Sequence, residues 1–143
     1  MLSNRFRILA LAIAGMLVLA ACGGGDDDAS DTTAASGGGG DTAISVTMSD
    51  FAFEPDSVVV AAGEEITLDL ENVGGVEHNF VIMTESIETE AEFDQSNVYY
   101  EQNLQPGDSG TFTFTAPAAG TYQVICSISG HFSAGMVGEL VSQ

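Results

Sequence analysis

Positive charge is almost missing from this sequence. Its 143 residues include 21 Asp and Glu but only 2 Lys and Arg, and both of these, Arg5 and Arg7, fall within the first seven positions. Nucleic-acid binding and attraction to anionic lipid heads need rows of cations against phosphates, so both are excluded. Arg-clamped phosphoryl transfer and lysine Schiff-base chemistry are excluded with them. An apolar run long enough to span a bilayer is also lacking: residues 8–21 give 14 in a row, against about 20 needed. Cysteine and histidine are scarce, at two each. The length accommodates one compact domain plus short extensions.

What is present at the N-terminus reads as an export signal. Arg5 and Arg7 precede the apolar run, the order of a secretory signal rather than of a retained membrane helix. The run ends in Leu19-Ala20-Ala21-Cys22, followed by Gly23. This resembles the lipobox of bacterial lipoproteins, in which a cysteine after a small residue is lipidated and becomes the new N-terminus. The resemblance implies a signal peptide over 1–21, lipidation of Cys22 and attachment to the extracytoplasmic face of the cell membrane. The exported part then keeps 21 acidic and no basic side chains, a formal charge of -21. Its one cysteine besides the anchor, Cys126, has no partner for a structural disulfide. A lone thiol in an oxidising compartment is a liability unless something occupies it.

Residues 23–42 read GGGDDDASDTTAASGGGGDT. Such a stretch has too little apolar surface to order itself, so 22–42 is expected to be a flexible tether with a reach of about 25 Å. From residue 43 the character changes. Ile44, Val46 and Met48 alternate with polar residues, and Ile66, Leu68 and Leu70 alternate with Thr67, Asp69 and Glu71. Residues 58–60, 78–83, 110–115, 120–126 and 136–141 supply further short apolar or alternating runs, with turn residues between them. About seven strands in roughly 100 residues predict an all-β domain over 43–143, a Greek-key sandwich or barrel. Residues 84–105, rich in Glu and carrying Phe93, Tyr99 and Tyr100, break the pattern, and a helical turn or two there is left open.

The scarce residues fall into an order. His131 follows Cys126 by five positions and Met136 follows His131 by five, in CSISGHFSAGM. The other histidine, His78, lies on an upstream strand and is followed by Asn79. A thiolate, two imidazoles and a weak thioether are the ligand set of blue-copper electron-transfer sites. Taken singly, each residue has a plainer reading: His78 a satisfied polar side chain, Met136 core filler like Met48 and Met83, and Cys126 a buried apolar thiol. The pattern formed by both histidines and the one available thiol favours metal.

On these residues, 43–143 resembles the cupredoxin family of type 1 blue copper proteins. The family pairs a His-Asn upstream with Cys, His and Met in one C-terminal loop. Four residues between Cys126 and His131, and four between His131 and Met136, match the rusticyanin- and auracyanin-like ligand loop. GTYQVICSISGH and AGMVGEL are also similar to the family's last two strands. The resemblance implies one copper ion held by His78, Cys126, His131 and Met136, cycling between Cu(I) and Cu(II). It implies that Asn79 bonds across to Ser127, and that His131, Phe132, Ala134 and Gly135 form an electron port. Where the family often has Gly or Pro before the upstream His, this chain has Glu77.

The expected function is single-electron transfer by a monomer at the membrane surface, with no enzymatic activity. The expected partner is a redox protein, such as a basic cytochrome or an oxidase steered by the acidic surface. A copper carrier or storage lipoprotein is the alternative, and a metal-free structural or adhesive sandwich ranks below it. A catalytic copper would need more histidines, and a binuclear thiolate site a second cysteine in the loop.

Overall fold

The computed structural model describes residues 40–143. The expected signal peptide, Cys22 and most of the tether lie outside the described residues. Among the described residues no helix is long and apolar enough to cross a membrane. Within the described residues, strand-like pairing already includes Asp41. Asp41 forms a parallel bridge with Val60, its N–H donating to the Val59 carbonyl at 3.1 Å.

Alternating sequence makes most of the strands. β1 (Ala43–Ser49) buries Ile44, Val46 and Met48, and β4 (Glu65–Asn72) buries Ile66, Leu68 and Leu70, while the residues between them face outward. Burial of side chains this large contributes about 1.5–3 kcal/mol each. Together with β2 (Ala52–Glu54) and β7 (Ser109–Thr115) they form a sheet in the order β2-β1-β4-β7. The second sheet runs β3-β9-β8-β5-β6, from β3 (Ser57–Val60), β5 (His78–Met83), β6 (Val98–Leu104), β8 (Gly120–Ile125) and β9 (Val137–Ser142). β1 pairs parallel with β4 and β3 parallel with β9, and the other named pairs are antiparallel. The main core lies between the sheets, with Phe53 and Phe80 edge to face at 5.7 Å.

The all-β sandwich agrees with the sequence pattern, but the described residues form nine strands rather than about seven. β2 is too short to show periodicity. β6 carries Glu101, Gln102 and Asn103 at a sheet edge, where most of its side chains are half-buried. The rest of the irregular segment holds two 3₁₀ turns, Glu90–Glu92 and Gln95–Asn97.

That segment covers the outer face of the second sheet. Every residue of β5 is buried, which a strand with one wet face would not show. Phe80 and Ile82 enter the main core, while Val81 and Met83 join Ile87 and Ile125 in a second cluster. Phe93 and Phe132 pack against this cluster, so the 84–97 excursion and the loop after β8 meet on it.

Candidate metal centre

The loop between β8 and β9 is short and internally bonded. Cys126 lies one residue beyond β8 and Met136 one before β9, and the Cys126 N–H still donates to the Met136 carbonyl at 3.1 Å. The turn between them is closed by His131 N–H to Ile128 O at 2.9 Å and Met136 N–H to His131 O at 3.0 Å. Gly130 and Gly135 adopt φ values of 87° and 99°, a region that side chains rarely adopt. The chain therefore doubles back within ten residues and turns His131 inward.

His78 arrives from the first position of β5. Its Nδ1 lies 3.1 Å from Nδ1 of His131, which lies 3.2 Å from Sγ of Cys126. The ligand atoms of these three residues all fall within 4.8 Å of one another. All three are buried, and Met136 is fully buried in the same core cluster as Cys126. Burial pushes the Cys126 thiol pKa up. Burial, aided by His78, pushes the His131 imidazole down against the opposing pull of Asp50 and Glu90. With no cation, the pocket thus keeps a protonated thiol and a neutral imidazole. A cation changes that balance by replacing the thiol proton.

Three straps hold this cluster. Asn79 donates to Ser127 Oγ at 2.9 Å and accepts from the Ser127 N–H at 2.8 Å, and it also donates to Glu101 at 3.0 Å. Glu90 accepts from the Gly130 N–H at 2.8 Å and from the Ser133 hydroxyl at 2.7 Å. These bonds hold its carboxyl pKa below the usual range. Asp50, in the turn after β1, reaches Nε2 of His78 at 2.9 Å. The preceding Glu77 is exposed, so the carboxylate against this histidine is Asp50.

Asp50, Phe51 and Glu90 escaped sequence reasoning. Phe51 is 41% exposed and its ring stands edge-on to His131 at 4.9 Å. Phe132 is half-buried, and Ala134 and Gly135 are exposed beside it. No local motif marks Asp50 or Phe51, which lie 28 and 80 positions from the histidines they touch. Glu90 stood out only as one of several acidic residues in the 84–105 segment.

Residues 40–143 match the family of copper binding proteins described as plastocyanin/azurin. The chain belongs to that family. It is 35% identical to auracyanin-A of Chloroflexus aurantiacus over 96% of both chains. The structure of dithionite-reduced auracyanin from Roseiflexus castenholzii superposes with a TM-score of 0.65 at 28% identity, covering 73% of this chain and 99% of that one. Rusticyanin from Thiobacillus ferrooxidans shares the fold, with a TM-score of 0.59 at 20% identity over 72% of this chain and 79% of its own.

The side chains of this cupredoxin fit the metal its family carries. Metal bonds to imidazole nitrogen and thiolate sulfur are about 2.0–2.3 Å long, so ligand atoms sharing one ion lie some 3–4 Å apart. The 3.1 and 3.2 Å separations are of that size. Thiolate with imidazole selects copper or zinc over hard, oxygen-seeking ions. The His-Cys-His site is able to bind one copper ion.

Proposed function

We propose that this cupredoxin is an extracytoplasmic electron carrier, tethered to the membrane by lipid on Cys22, with His78, Cys126, His131 and Met136 as its copper ligands. The carrying observation is the meeting of both histidines with the one thiol of the domain in a buried, strapped cluster. Auracyanin A, to which the chain is related over nearly its full length, is a blue copper protein. Held by His78, Cys126, His131 and Met136, a copper ion would supply one-electron chemistry, Cu(II)/Cu(I), between a donor and an acceptor.

The chain's own residues supply the rest. Burial of Cys126 and His78 excludes water, and the bonds within 126–136 keep the ligand atoms in place in either oxidation state. Met136 acts as the weak ligand that tunes the potential. The patch of His131, Phe132, Ala134 and Gly135, widened by Phe51, offers the small apolar contact that a short-lived redox encounter requires. The absence of Lys and Arg after residue 7 favours a basic partner, a cytochrome or an oxidase.

The test is the visible and spin-resonance spectrum of the copper-loaded full chain. An intense thiolate-to-copper band is expected, and a colourless Cu(II) complex would sink the reading. Met136→Leu should retain copper and raise the reduction potential. Cys22→Ser should release the protein from the membrane fraction, while the spectrum stays the same.

A further inference from the structure

The Asp50 carboxylate is held from two sides. The Gly75 N–H donates to both of its oxygens, at 3.1 and 3.0 Å, and His78 Nε2 stands 2.9 Å from Oδ1. The carboxylate side is 42% exposed, whereas the His78 side chain is fully buried. An ionised carboxylate can only accept, so Nε2 must carry the proton of this bond. A ring with a single proton there has its lone pair on Nδ1, the atom that faces His131 Nδ1 at 3.1 Å. Gly74 makes the approach possible. A Cβ at 74 would overlap the Asp50 carboxylate and lie 2.7 Å from His78 Nε2.

We propose that Asp50 is a positioning residue for His78: it fixes the tautomer that leaves Nδ1 free for the metal, and its negative charge on the far nitrogen favours Cu(II) over Cu(I). The second half rests on the copper reading above, while the first holds for the metal-free chain. A carboxylate bonded to the outer nitrogen of a ligating histidine orients the ring and strengthens its donor atom. Asp50 does this from a different sheet, so the β1–β2 turn is tied to the first residue of β5. Partial exposure lets solvent weaken the charge effect, which sets it at the lower end of such contributions.

Nitrogen-15 NMR of the metal-free full chain and the reduction potential of the copper-loaded chain test the two halves separately. In wild type the His78 proton is expected on Nε2. Asp50→Asn keeps an acceptor oxygen and should keep that tautomer. It should also lose about tenfold in preference for Cu(II), an upward shift of about 59 mV for a one-electron couple. Asp50→Ala should mix the tautomers and shift the potential in the same direction. Gly74→Ala, which leaves Asp50 in the chain but pushes it off His78, should resemble Asp50→Ala. Should one of these variants fail to fold, the other two still decide. An unchanged tautomer in Asp50→Ala or Gly74→Ala, or an unchanged potential in Asp50→Asn, overturns the proposal. A wild-type chain without the thiolate–copper band sinks the copper reading instead, and the metal-free spectrum still reports on Asp50.

Discussion

Residues 126–136 gather Cys126, His131 and Met136 within one loop, whereas His78 reaches the same place from β5 and depends on distant neighbours. On the loop side the backbone bonds run between residues at most ten apart, from Cys126 N–H to Met136 O and from Met136 N–H to His131 O. On the other side Asp50 is 28 positions from His78, Ser127 is 48 from Asn79, and His131 itself is 53 from His78. Local chain geometry preforms one half of the site. The other half exists only once β5 has paired with β8 and the β1–β2 turn of the other sheet has packed against His78, so it is the half that depends most on residues outside the loop.

The largest break in this comparison is Cys126→Ser, which removes the one thiolate. The copper-loaded variant should lose the intense visible band altogether, and an unchanged colour would place the chromophore elsewhere. Asn79→Ala cuts the strap between the halves. It leaves the Ser127 N–H without its partner at a position where Asn79 is 2% exposed, at a cost of about 2 kcal/mol. Urea unfolding of the metal-free chain measures this, and a change within error would mean that the strap contributes little.

Acid probes the loop side by itself. His131 has its pKa lowered by burial, so the unfolded chain binds a proton that the native chain resists. Metal-free stability should therefore fall as pH drops below about 6.5, the ordinary histidine value, with no such loss above it. Replacing His131 by Gln should flatten that part of the profile, and a slope as steep as wild type would assign the loss to other groups. The smallest effect is expected from Glu90→Ala, on an exposed strap. Hydrogen exchange at the Gly130 amide should speed up several-fold while the fold persists, and unchanged protection would mean that the turn holds itself.

Legibility followed the same division. The apolar alternation in β1 and β4 showed both strands and their inward faces, because a period of two in a half-buried strand is a local property. β6 was hidden by Glu101, Gln102 and Asn103, whose polarity suits an edge and so resembles a loop. The ordered pattern of Cys126, His131, Met136 and His78 points to metal by spacing alone. Asp50 and Phe51 stood in a turn with no pattern of their own, since their partners are chosen by how the sheets stack rather than by spacing.

The opening scarcity acquires its meaning from this. The sequence alone determined the all-β class, the absence of Lys and Arg after residue 7, and the loop that carries three candidate ligands, because composition and short-range spacing suffice for each. The tertiary structure alone decided that the carboxylate beside His78 is Asp50 while Glu77 faces solvent, and that Glu90 braces the loop. It also decided that the acidic 84–97 excursion is a cover for Val81 and Met83 rather than a loose insertion. The physical reason is reach: hydrogen bonds and apolar packing act over a few ångströms in space, and only the packed sheets bring positions dozens of residues apart within that range.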